Sequence, residues 1–157
     1  MKWMIVTDSS CDLKELETGS PDISFDTVPF VLNVSGKDYV DTPDLSVPEM
    51  VDAMEASASS RSSCPSPSAW EALFRKADRI IAMTISGRLS GSYNSAMAAR
   101  AVALEENPDK EIEVIDSLST GPKLVLMAQS VISLNEVRDE LASRHVIDHK
   151  VKQEKMT

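Results

Sequence analysis

Ile80-Ile81-Ala82-Met83-Thr84-Ile85-Ser86-Gly87-Arg88-Leu89-Ser90-Gly91-Ser92-Tyr93-Asn94-Ser95-Ala96 is the stretch that decides the fold. An apolar run stops at small hydroxyl residues and glycines, and a helical pattern then begins. This reads as a buried strand, a tight turn, and a helix whose N-terminus faces the turn. Backbone N–H groups at such an end lack intrahelical acceptors and carry partial positive charge, so the turn suits an anion. Met4-Ile5-Val6-Thr7-Asp8-Ser9-Ser10 and Ile112-Glu113-Val114-Ile115-Asp116-Ser117 end in the same way. Ends of this kind gather along one edge of a parallel sheet, where α/β folds place ligands.

Working outward, residues 3–7 read as the first strand and 12–17 as a short helical turn before Gly19. Ile23 to Val34 alternates, with Val28, Phe30, Leu32 and Val34 on one side, and reads as one strand. Gly36-Lys37-Asp38 is a turn into a short arm at Tyr39-Val40. Ser46-Val47-Pro48-Glu49 has capping-box spacing ahead of a helix with Met50, Val51 and Met54 on its apolar face. The serine-rich residues 57–66 read as a loop. Ser66-Pro67 opens a helix that buries Trp70, Leu73 and Phe74. The helix after the opening stretch presents Tyr93, Ala96, Met97, Arg100 and Leu104, and ends at Asn107-Pro108.

Residues 112–115 form a further strand, and Leu124 to Ile132, apolar nearly all round, reads as a buried helix. Ser133-Leu134-Asn135-Glu136 is a second capping box, whose helix has Leu134, Val137 and Leu141 on its face; a polar tail starts at His145. Strands alternating with helices predict an α/β fold, a mainly parallel sheet with helices on both faces. The expected division is a domain over residues 1–133 followed by a helix and tail over 134–157.

The 157 residues suffice for one domain with a sizeable core. Net charge is −9, and the aromatic residues are two Trp, two Tyr and three Phe. A polyphosphate would be repelled and few rings offer base stacking, so no nucleic-acid partner is expected. No apolar run approaches the roughly 20 residues needed to span a bilayer. Asp8 interrupts the N-terminal run too early for a signal peptide, and a cytoplasmic location is expected. Cys11 and Cys64 do not form a metal-binding pair, and His145 and His149 stand apart from them, so no metal is expected.

The polar clusters are rich in hydroxyls, but none sets a histidine or lysine beside a serine. A serine nucleophile needs such a base. P-loop, dinucleotide and nucleophile-elbow spacings are absent. The chain reads as a binder of a small polar group, with no catalytic residue assigned. Ser66 doubles as a helix cap, and Ser90 is a cap or a ligand contact. Asp8 and Asp116 cap the following helices or, in an alternative reading, serve Ser90 in a hydrolase or transferase acting on a small ester or phosphate. The eight Met residues are core, or they line an adaptable lipid cavity.

Taken in order, Ile5-Val6-Thr7-Asp8-Ser9-Ser10-Cys11-Asp12-Leu13, Val28-Pro29-Phe30, Ser62-Ser63-Cys64-Pro65-Ser66-Pro67, Leu89-Ser90-Gly91-Ser92-Tyr93-Asn94-Ser95-Ala96 and Val114-Ile115-Asp116-Ser117 resemble the DegV family of bacterial fatty-acid-binding proteins. The resemblance covers residues 3–132. It implies a long-chain fatty acid as ligand, no cofactor, and presentation of the acid to a fatty acid kinase. It also implies that Ser62, in place of the family's threonine, and Ser90 hold the carboxylate. Gly91, Ser9 and Ser66 belong to the same motifs, and Arg88, which departs from the family pattern, adds a cation nearby. Cys64 replaces the family's glutamine.

Burying about fifteen methylenes is worth roughly 12 kcal/mol gross at ~0.8 kcal/mol each. A hydroxyl contact to the carboxylate adds about 1.5–3 kcal/mol. The tail therefore supplies affinity and the serines supply orientation. The family's usual second domain is not expected in this chain. That leaves an open face for a homodimer, or, in a further alternative, a self-associating domain without ligand.

Overall fold

The computed structural model describes residues 2–134. Strand β1 (Trp3–Asp8) lies at the centre of a parallel sheet, between β2 (Ile23–Val28) and β6 (Arg79–Thr84), with β7 (Glu111–Asp116) beyond β6; the order is β2-β1-β6-β7. A second, antiparallel sheet, β4-β3-β5, is built from β3 (Val31–Val34), β4 (Lys37–Val40) and β5 (Ser60–Ser63). Helices α1 (Val47–Glu55), α2 (Pro67–Phe74) and α3 (Ser92–Glu106) are followed by α4, helical over 122–134. The α/β expectation holds.

Alternation along the strands divides the core between two faces. Met4, Val6, Ile80, Ala82, Ile112 and Val114 point to one side, against Trp70, Leu73 and Phe74 of α2 and Ala96, Ala99 and Ala103 of α3. The alanines, at helical spacing, let α3 lie close to the sheet. Trp3, Ile5, Ile23 and Met83 point to the other side, against Leu124, Ala128 and Ile132 of α4. Ser66 caps α2 as its sequence predicts, its Oγ accepting from the Ala69 N–H at 3.2 Å.

Several local expectations are corrected. Pro29 divides the stretch 23–34: β2 joins the parallel sheet, whereas β3 turns away into the second sheet. The β3–β4 turn is Ser35-Gly36, at φ 49° and 88°, with Lys37 and Asp38 already in β4. Both central residues of such a tight hairpin have positive φ, hence the glycine. Residues 60–63, a loop by composition, form an edge strand because β3 offers a partner.

Residues 12–17 are not helical. Lys14 pairs with Asp41, and Leu13 and Leu16 pack on the α4-side core, so that segment is held by long-range contacts and not by helical hydrogen bonds. The capping box does not form: Ser46 makes no side-chain capping bond, and the Glu49 carboxylate accepts from Lys37 Nζ at 2.8 Å instead of reaching back to Ser46. Helix α1 has no buried residue; Met50 and Met54 are half-buried and Val51 is exposed. Nor is α4 buried all round: Leu126 is 63% exposed, since only one stripe meets the sheet. The second capping box runs past Leu134, and its remainder, the helix carrying Val137 and Leu141, and the tail from His145 lie outside the described residues.

Candidate functional site

The chain passes from β1 to β2 on one side and then crosses to β6 on the other, so connections diverge at the carboxyl ends of β1 and β6. Such a switch point opens a crevice. It is filled by residues 85–91, the turn between β6 and α3. Two carboxylates hold this turn from opposite flanks. Asp8, fully buried at the end of β1, accepts the Ile85 N–H at 2.9 Å and the Ser92 hydroxyl at 2.6 Å through Oδ2, while Oδ1 accepts the Ser10 hydroxyl. Asp116, at the end of β7, accepts the Gly87 N–H at 3.0 Å through Oδ1. The Ser86 N–H reaches the Ser119 carbonyl at 2.8 Å.

Within the turn, the Leu89 and Ser90 N–H groups both reach the Ser86 carbonyl, at 2.9 and 3.2 Å. The Ser90 Oγ accepts the Ser92 N–H at 3.2 Å. Ser90 therefore occupies the threshold of α3, where first-turn N–H groups have no acceptor within the helix.

The second sheet brings the other wall. Ser62 sits on β5 opposite Leu32. Together with Phe30, Cys64, Ile85, Leu89, Ser90 and Gly91 it lines an open groove of about 340 Å³. A Cβ on Gly91 would stand 3.3 Å from the Cys64 sulfur, so the glycine keeps the helix end open between these walls. The lining combines the hydroxyl residues Ser62 and Ser90 with the apolar residues Phe30, Ile85 and Leu89. The arrangement suits an anionic head on an apolar body.

Of the residues singled out from sequence, Ser62, Ser90 and Gly91 meet in this groove. Ser9 is buried, and its Oγ accepts the Phe30 N–H at 2.9 Å, so it fixes a wall and does not line the groove. Ser66 is outside, occupied with Ala69 and with the Ser68 hydroxyl at 2.9 Å. Arg88 is exposed on the turn and does not line the groove.

Asp8 and Asp116 do not cap a following helix: residues 12–17 are not helical, and among the described residues no bond from Asp116 reaches α4. Their bonds go to the 85–91 turn, to Ser92 of α3, to Ser10 and to Leu118, and neither contacts the Ser90 hydroxyl. Sequence reading passed over Phe30, Ile85 and Leu89 as site walls. The signal for Phe30 was the proline before it, which swings the chain out of β2.

Size alone does not mark the site. A cleft of about 400 Å³ at the amino ends of the strands is lined in part by Arg100 and Lys110, which donate to the backbone carbonyls of Ile112 and Ala77. A nearly wholly apolar groove of about 350 Å³ follows α4, lined in part by Met83, Ile115, Leu126, Met127 and Val131. Among the described residues there is no cluster of His, Cys, Asp and Glu able to hold a metal, and no helix is long and apolar enough to cross a membrane.

A sequence model described as "Uncharacterised protein, DegV family" matches residues 2–145. A DegV domain-containing protein of Streptococcus gordonii is 39% identical over 151 residues, which are 91% of this chain and 54% of that protein. The Streptococcus pneumoniae Fatty Acid Kinase (Fak) B3 protein, crystallised with linoleic acid, superposes with a TM-score of 0.83 at 37% identity, over 91% of this chain and 54% of that one. A DegV family protein from Eubacterium eligens, loaded with heptadecanoic acid, gives 0.79 at 38% identity, over 85% of this chain and 48% of that one. The chain thus spans about half the length of the relatives it matches.

Proposed function

This chain belongs to the DegV family, and from that premise we propose that it binds a long-chain fatty acid and presents it to a fatty acid kinase. The Ser62 and Ser90 hydroxyls and the Gly91 backbone receive the carboxylate. Phe30, Ile85 and Leu89 begin the apolar path of the tail. Arg88 contributes only screened, long-range attraction from its exposed position.

The observation that carries this reading is the meeting of Ser62, on β5 of the second sheet, and Ser90, in the turn that follows β6 of the parallel sheet, in one groove at the N-terminus of α3. Charge-assisted hydrogen bonds from hydroxyl and backbone donors suit a carboxylate without any counter-cation. Among the described residues the Ser90 Oγ accepts the Ser92 N–H and neither Asp8 nor Asp116 bonds to it, which supports Ser90 as a positioning hydroxyl. Residues 1–133 form the binding domain, and homodimerisation covers the apolar surface beside it, as the exposed Leu89 and Leu126 favour.

The test is to purify the protein, denature it and identify released lipid by mass spectrometry, then to titrate the emptied protein with palmitate and oleate. A stoichiometric acyl chain, or saturable uptake, is expected. Absence of both would overturn the reading. Addition of a fatty acid kinase and ATP to the loaded protein should yield acyl phosphate, and sedimentation should give a dimer mass.

A further inference from the structure

The 85–91 turn is largely closed on itself: Arg88 N–H to the Ser86 Oγ, and Leu89 and Ser90 N–H to the Ser86 carbonyl. Those bonds define its shape but not its seat on the sheet. Asp8 anchors the two ends, Ile85 and Ser92. Between them the turn is tied to the rest of the fold at Ser86, through the Ser119 carbonyl, and at Gly87, through Asp116.

Asp116 is built for this contact. It pairs in register with Thr84, the last residue of β6, so its carboxylate stands where the turn leaves the sheet. Oδ1 is shared between the N–H groups of Gly87 and Leu118, both at 3.0 Å. A Cβ on Gly87 would stand 3.0 Å from Oδ2, so the bare glycine backbone admits the carboxylate. The turn beyond it is held in a conformation that a bulky residue resists, Leu118 at φ 50°. It is kept there by Ser117, whose Oγ donates to the Ser119 carbonyl and accepts the Ser119 N–H, both at 3.1 Å. Strain of this kind persists where neighbouring bonds over-determine it. The carbonyl so placed is the one that receives Ser86.

We propose that Asp116 is a positioning residue for the fatty-acid site: it seats the 85–91 turn through the Gly87 N–H and thereby sets the direction of the Ser90 hydroxyl. The inference rests on the fatty-acid reading for its affinity arm and on apo geometry for its exchange arm. Because a single Oδ1 serves both N–H groups, an asparagine oxygen can replace it, whereas alanine cannot.

The experiment compares wild type, Asp116→Ala, Asp116→Asn and Gly87→Ala, each alone and with Ser90→Ala, by amide hydrogen exchange of residues 85–92 without ligand and by oleate titration. Asp116→Ala should speed exchange at Gly87 and weaken oleate about tenfold, in line with the loss of one positioned hydrogen bond. Asp116→Asn should keep the protection and bind within about threefold of wild type. Gly87→Ala, which displaces the carboxylate without removing it, should match Asp116→Ala and remains informative if that variant does not fold. With Ser90→Ala already present, none should weaken oleate further, since coupled sites are non-additive. Unchanged exchange in Asp116→Ala, failure of asparagine to rescue, or equal weakening in the Ser90→Ala background would each overturn the role. If wild type takes up no oleate, the ligand reading fails, and the exchange arm still decides whether Asp116 seats the turn.

Discussion

Ser62→Ala separates binding from folding more cleanly than any other change in the groove. Ser62 lies on the exposed edge strand β5, and its hydroxyl makes no hydrogen bond to a described residue. Its removal should therefore leave stability within about 0.5 kcal/mol of wild type, as for an ordinary surface site. Ser62 also lines the groove shared with Ser90 and Gly91. A hydrogen bond to a charged group is worth about 1.5–3 kcal/mol. At about 1.4 kcal/mol per factor of ten, Kd for oleate should rise roughly 10- to 150-fold. Calorimetric titration gives the affinity and urea unfolding the stability. Ser62→Thr keeps the hydroxyl and should bind like wild type, and the corresponding fatty alcohol, having no carboxylate, should lose much less from the alanine change. Equal affinity in Ser62→Ala and wild type would refute the cradle. So would an equal loss for acid and alcohol, because the effect would then not be on the charged head.

Gly91→Val should weaken oleate at least tenfold, since even its Cβ would stand 3.3 Å from the Cys64 sulfur and its methyls enter the groove; Cys64→Ala should restore part of the loss in a titration of the double variant. The two serines at helix starts should behave differently in urea unfolding: Ser66→Ala should cost about 0.5–2 kcal/mol through loss of the bond from Ala69, and Ser46→Ala close to nothing. The Lys37 ammonium, donating to Glu49, holds that carboxyl below the usual carboxylate range, and Glu49 in turn raises Lys37. The folded form of Glu49 has the lower pKa, so its contribution is present above pH 4.5 and is lost as pH falls through the folded value; that of Lys37 is present below pH 10.5 and is lost as pH rises through its folded value. Both groups are exposed, so the contribution is small and screened by salt. In an NMR titration Glu49 should move back up in Lys37→Met.

The parallel sheet was legible because its evidence is local. Each apolar run alternates or is wholly buried over a few residues, and each ends in Asp, Ser or Gly, which favour turns and caps. Ser66-Pro67 at the start of α2 and Asn107-Pro108 after α3 are read in the same way. Long-range competition was not legible. Nothing near Ser46 signals that Lys37 will claim Glu49, and nothing in the serine run at 60–63 signals that β3 will pair with it. The apolar composition of 124–132 does not say that the sheet meets only one stripe of α4.

By itself the sequence determined the strand–turn–helix at 80–96, with Ser90 just before the helix, and, through its motifs, the family. Those depend on backbone preferences and side-chain types that act within a few residues. Tertiary structure decided which hydroxyls share a site. Ser62 reaches the groove because a second sheet carries it there, whereas Ser9 and Ser66 are diverted to Phe30 and Ala69. It also decided that Asp8 and Asp116 hold the 85–91 turn as well as their own neighbours Ser10 and Leu118, because parallel pairing sets the ends of β1 and β7 on either side of β6. A carboxylate bonds the nearest unpaired N–H, and only the assembled sheet determines which one that is.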